Sequence, residues 1–186
     1  MSRPQGISRW NLANHLGPRG LLVSVNALAA LSIFFFGYDQ GMMGGVNNAA
    51  HYIKTMGIGY TAPVNGEPTP FITNSLLQGG IVSVYYLGTL VGAFVGGWVG
   101  DKVGRIRAIA FGAAWAIIGA SLQCSAQNHV WMIVARLING WGTGVLNAIV
   151  PVWSTETAEH TNRGQFIAIE FTLNIFGVVV AYWMEL

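Results

Sequence analysis

Residues 88–107 read GTLVGAFVGGWVGDKVGRIR, an apolar run with a glycine at every fourth position that ends abruptly in charge. The run begins upstream at Ser75, reaches Val99 and breaks at Asp101-Lys102-Val103-Gly104-Arg105-Ile106-Arg107; a second apolar run then extends from Ala108 to Ala126. About 20 apolar residues are needed for a helix to cross the hydrocarbon layer, so this stretch predicts two spans joined by a tight, charged turn. Gly88, Gly92, Gly96, Gly100 and Gly104 recur at a spacing that puts small residues on one helix face, where they let two backbones approach closely in lipid.

Three further segments flank this pair: Leu21 to Val46, Val130 to Trp153 and Phe166 to Trp183. The composition agrees. Of 186 residues 53% are hydrophobic and only 9% charged, against roughly 25% charged in an ordinary soluble domain, too few to cover a water-facing surface. The reading is therefore an all-α, polytopic membrane protein with five transmembrane helices, forming a partial transmembrane domain over 21–186 behind a tail over 1–20. The apolar run after that tail is longer than a signal-peptide core, which predicts an uncleaved first span. The connection from Asn47 to Asn74 holds Pro63, Asn65-Gly66, Pro68 and Pro70, turn signals that predict a single hydrophilic loop without a helix. Phe34, Phe35, Phe36 and Trp115 read as lipid-facing or interfacial aromatics, and Cys124 as a packing residue within its apolar run.

Lys and Arg accumulate in cytoplasmic loops. Arg3, Arg9, Arg19, Lys102, Arg105, Arg107 and Arg163 fall on the side of the N-terminus and only Lys54 opposite, so the N-terminus is expected in the cytoplasm. The formal net charge of +2 is spread in short groups, which argues against nucleic acid as a partner. No metal-ligand cluster, nucleophile elbow or phosphate-binding loop is present, so neither an enzyme nor a cofactor is expected. Gly140-x-Gly142-x-Gly144 lies inside an apolar span with no strand before it, and Gly140 and Gly144 read as packing residues.

Ionisable residues inside spans are costly and face a cavity or one another. Asp39 lies near the outer end of the first span and Arg136 near the outer end of the fourth, at similar depth. They are placed to meet, either as a static bridge or as a pair that a proton breaks. Glu170 sits about one turn into the fifth span with Asn174 one turn above it on the same face. That stripe reads either as the wall of a substrate path or as a group near enough to the headgroups to stay hydrated.

Gly97-x-x-x-Asp101-Lys102-x-Gly104-Arg105-x-Arg107 resembles the signature loop of the major facilitator superfamily. Arg136-x-x-x-Gly140-x-Gly142-x-Gly144, Pro151-x-Trp153-x-x-Glu156-x-Ala158 and Arg163-Gly164 resemble its sugar-porter branch, as does Gly37-Tyr38-Asp39-x-Gly41. The resemblance implies two six-helix halves with substrate bound between them near the midplane, of which this chain supplies five helices of the first. It implies that Asp39 is the protonatable carboxylate and Arg136 its partner. It places Asp101, Arg105, Arg107, Glu156, Glu159 and Arg163 in a cytoplasmic charge network that latches the outward-facing state. The chain departs from the pattern at Ile106, where a basic residue is usual, at Trp153 for tyrosine, at Glu159 for proline, and at Phe171, where many sugar porters carry a glutamine. Gln78, Asn147, Glu170, Phe171 and Asn174 are the candidate cavity residues.

The expectation is a plasma-membrane transporter of a sugar or related small polar carbohydrate, proton-coupled in intact relatives, with this chain a truncated piece that does not transport alone. The alternative is a non-transporting sensor or truncated paralogue that associates with full-length relatives. The expected partners are the lipid bilayer, a sugar-like substrate and H+, with no metal.

Overall fold

A computed structural model describes residues 18–64, 67–157 and 163–185. The tail read over 1–20 lies, apart from its last three residues, outside the described residues. Six helices and a hairpin follow: α1 (Pro18–Val46), α2 (Ala50–Met56), β1 (Gly59–Val64), β2 (Glu67–Ile72), α3 (Ser75–Val103), α4 (Arg105–Cys124), α5 (His129–Thr157) and α6 (Arg163–Met184). Five of them, all but α2, are long and apolar enough to cross a membrane. At about 1.5 Å per residue the 29-residue α3 outreaches a hydrocarbon layer of about 30 Å, so Asp101 and Lys102 ride on its projecting end. That end, with the turn to Arg107, is called the basic end, and the opposite one the hairpin end.

Helix α5 is the most buried of the five and the others are arranged around it. Its contacts with α3 are made backbone to backbone. A methyl group on Gly88 would meet the Leu137 carbonyl, and one on Gly92 would meet the Trp141 backbone. In return Gly140 and Gly144 lie against the backbones of Tyr85 and Thr89. Gly96 faces Val145. On the other side of α5, Gly142 lies against Trp115 and Ala116 of α4, and Gly119 of α4 against Asn139. Trp115 consequently packs on Trp141, ring centroids 4.8 Å apart, and is a helix-contact residue, not the lipid-facing aromatic expected of it. Cys124, the last residue of α4, is exposed.

A second seam went unread in the sequence. Helices α1 and α6 run side by side in the same direction, Gly37 against the Asn174 carbonyl, Gly41 against Val178 and Ala181, and Gly177 against Phe34 and Tyr38. Beyond them Glu185 accepts a hydrogen bond from the Gly45 amide at 2.8 Å. The bundle thus consists of a pair, α1 with α6, and a trio, α3, α4 and α5. The two blocks meet along a thinner joint where α1 and α6 touch α5.

The connection at the hairpin end is not the helix-free loop expected from its prolines. Tyr52 and Met56 of α2 are buried with Ile58 against Met43, Ile81 and Met132, and Ile53 of α2 is fully buried as well. That apolar set is what makes seven residues helical. Gly57, at φ 67°, ends α2 in the left-handed conformation. The antiparallel strands pair Thr61 with Pro70 and Pro63 with Pro68, and a two-stranded ribbon has an open edge on each side where a residue without an N–H is tolerated. Thr73 and Asn74 both donate their amides to the Ile58 carbonyl, and Gln78 Nε2 donates to the Asn47 carbonyl at 3.0 Å.

Candidate functional site

Gly104 separates α3 from α4 at φ 99°, ψ 149°, a backbone region open essentially to glycine alone. The reversal brings Arg105 back over both neighbouring helix ends. Its Nη1 donates to Asp101 at 2.7 Å, while Nη2 and Nε take the two carboxylate oxygens of Glu156 at 3.0 and 3.2 Å. The fork-shaped guanidinium matches a carboxylate in this bidentate way, so one side chain ties the ends of α3 and α5 to the start of α4. Arg107 is exposed and joins neither of the two ion pairs among the described residues. Glu159 lies outside the described residues, as does the side chain of Arg163. Lys102 stands 4.2 Å over the Trp98 ring.

Toward the hairpin end, Asp39 and Arg136 occupy the same level of the bundle without the direct contact their depths suggested. The Asp39 carboxylate instead accepts a hydrogen bond from Asn139 Nδ2 at 3.0 Å. Arg136, 2% exposed, stands 5.2 Å over the ring of Tyr85, a cation–π arrangement. Its Nε and Nη2 are buried and bonded to nothing among the described residues. The Tyr85 and Tyr52 hydroxyls near it are likewise buried without partners. Burial pushes the Tyr52 phenol above its ordinary range, with the Arg136 charge acting the other way. Among the described residues the site thus gathers an arginine with unbonded donors, a carboxylate held by a neutral amide and two phenols without hydrogen-bond partners.

Asn139 is seated by its own backbone, pressed on Gly119 of α4, and points its amide across the joint to α1. Sequence reasoning passed over it although it stands three residues after Arg136 on the same face. Tyr85 and Tyr52 are not among the sequence candidates either, Tyr52 because it lies in the Asn47–Asn74 connection expected to be a loop.

The five candidate cavity residues do not converge. Gln78 is committed to the Asn47 carbonyl; Asn174 makes a long 3.5 Å bond to the Ile33 carbonyl; Asn147 is exposed and Phe171 is 67% exposed. Glu170 is buried at 6% exposure beside Ser154 of α5. Two apolar recesses, one between Leu122 and Trp131 and one between Gly88 and Trp141, include none of the five.

Comparison with known proteins agrees with this architecture. The family model described as "Sugar (and other) transporter" matches residues 25–186. The chain is 30% identical over 179 residues to the major facilitator superfamily transporter mfsA of Aspergillus fumigatus, covering 94% of this chain and 33% of that protein. It is 30% identical over 185 residues to the sugar transporter STL1 of Saccharomyces cerevisiae, covering 96% of this chain and 30% of that one. It thus spans about a third of the length of these relatives. The inward-open xylose transporter XylE of E. coli superposes on 86% of this chain and 38% of its own, with a TM-score of 0.64 at 20% identity, a likeness of fold.

Proposed function

Because this chain belongs to the sugar (and other) transporter family and is an integral membrane protein, we propose that it supplies helices of a plasma-membrane carrier. The carrier moves a sugar or related small polar carbohydrate by alternating access, with a proton as the coupling ion. The observation that carries the reading is the cluster of Asp39, Asn139, Arg136 and Tyr85, an intramembrane carboxylate on α1 bound across the joint to α5. Protonating Asp39 removes its charge, weakens the bond from Asn139 and ends its attraction for Arg136. The force between α1 and α5 then changes while the packing inside each block does not.

The basic end is the cytoplasmic one in this proposal, by the excess of Lys and Arg there. The Arg105 bridges to Asp101 and Glu156 then hold the cytoplasmic face closed and must part when it opens. We assign Arg107, Glu159 and Arg163 to the same latch in the complete carrier, although Arg107 joins neither ion pair here. Substrate binds between these helices and a second half-bundle near the midplane. We assign exposed Asn147 on α5 to that side, with Asn174 as a further polar group, while Gln78 stays with the Asn47 carbonyl. Phe171, standing on α6 where a hydrogen-bonding side chain is usual in sugar porters, shifts the pocket toward a substrate with an apolar face. The exposed apolar faces of the spanning helices elsewhere are lipid contact.

The test is Asp39→Asn in a complete carrier containing these residues, followed by uptake of labelled hexoses and polyols into deficient cells. Uphill accumulation is expected to vanish while exchange across the membrane persists, because only the proton step is lost. Undiminished accumulation would overturn the coupling role.

A further inference from the structure

Asp39 is not the only carboxyl inside the bundle, and the mechanism above leaves the other one unused. Glu170 lies in the third turn of α6, on the side turned toward α5, 6% exposed. It faces the Ser154 hydroxyl, which is itself fully buried and makes no formed hydrogen bond among the described residues. Glu170 takes part in neither ion pair among the described residues, both of which belong to Arg105.

The charged and titratable groups on the surrounding helices are few. On α5, Glu156 is two residues past Ser154 and is taken by Arg105. On α1, Asp39 lies nearer the hairpin end and is held by Asn139. Arg163, seven residues before Glu170, and Arg19 near the start of α1 share the basic end, where their side chains lie outside the described residues. An ionised carboxylate that has only a hydroxyl to turn to is expensive in a low-dielectric interior. A neutral carboxyl both donates to and accepts from a serine hydroxyl, so the neutral form suits the closed joint and the ionised form suits water.

The position matters as much as the burial. Glu170 and Ser154 face each other across the joint between the α1–α6 pair and the α3–α4–α5 trio. Asp39 and Asn139 do the same at the other end of that joint. Helices α5 and α6 touch sparsely there, so a small separation admits water to the carboxyl. We infer that Glu170 is a second proton-binding site, loaded while α5 and α6 are closed at the basic end and discharged when that end opens. The O–H bond of the acid breaks, its electron pair stays on the carboxylate, and the proton passes to the water entering the joint. That this proton travels with substrate rests on the carrier reading given above; that Glu170 binds one does not.

The test uses the purified chain in lipid bilayers and acid-minus-alkaline infrared difference spectra in the protonated-carboxyl region. A carboxyl component absent from Glu170→Gln and retained in Asp39→Asn is expected. In Ser154→Ala the same component should persist but shift to higher frequency, since the C=O group of the neutral acid can no longer take the serine hydroxyl as a donor. This second variant keeps the carboxyl, so a folding defect in the first does not decide the matter. Spectra of the wild type and Glu170→Gln that coincide would overturn the proposal, as would a component indifferent to Ser154→Ala. A Glu170 component found alongside an Asp39→Asn carrier that still accumulates substrate would remove the role of Asp39 and leave this site standing.

Discussion

Gly92 and Gly97 lie five residues apart on α3, yet alanine at the two positions should have opposite effects. At Gly92 an added methyl falls on the backbone of Trp141, carbonyl oxygen, carbonyl carbon and Cα together; at Gly97 it meets nothing within 4 Å. Backbone atoms of a packed helix cannot turn aside as a side chain does. Overpacking of this kind costs about 1–3 kcal/mol, and the upper part of that range applies where two backbones must separate. Alanine returns up to about 1 kcal/mol of helix propensity at either site, less where the bilayer already enforces helix. The net expectation is about 2 kcal/mol of destabilisation for Gly92→Ala, a shift of roughly 30-fold in the folding equilibrium, against no loss or a slight gain for Gly97→Ala. Reversible unfolding of the purified chain in mixed micelles, followed by tryptophan fluorescence, measures both. Equal effects of the two substitutions would refute the claim that the α3–α5 seam is built on glycine contact at Gly92.

Gly104→Ala adds no clash, because its Cβ also meets nothing within 4 Å. It should nevertheless cost about 1–3 kcal/mol, the price of a side chain in that backbone region, and unchanged unfolding would mean the turn can be rebuilt. For orientation, single cysteines at Lys102 and Tyr60 on a Cys124→Ala background should react oppositely to an impermeant maleimide on intact cells. Tyr60→Cys labels at once and Lys102→Cys only after permeabilisation; the reverse pattern would invert the proposed topology.

The five spanning helices were legible because each needs only length and apolarity, properties that survive any packing arrangement. The Gly88-to-Gly96 face was legible for the same local reason, a period of four. Gly37, Gly41 and Gly45 show the same period of four, but nothing in α1 alone says which helix they meet; the lone Gly177 acquires a meaning only once α1 and α6 are side by side. Helix α2 was hidden by its brevity, since seven residues hold helix only against a surface supplied by Met43, Ile81 and Met132. In the site, Asp39 and Arg136 stood out as charges in apolar runs, and their common depth followed from helix rise. Which neighbour each would take did not follow. The outcome turned on the rotation of α5 about its axis, which brings Asn139 to Asp39 and sends Arg136 to the face of Tyr85. Glu170 was visible as an oddity, but its partner Ser154 lies on another helix and has an unremarkable sequence context.

The bonds at the foot of the hairpin bear on how this connection can grow. Asn47 and Gln78 are tied to each other, and Ile58 to Thr73 and Asn74, so the excursion is already a closed ring before its tip is counted. Lengthening a closed loop is thermodynamically mild, about 0.6 kcal/mol for each doubling. Residues added between Val64 and Glu67 would therefore burden the ring and leave the bundle beneath it undisturbed, making this tip the natural place for an insertion or an epitope.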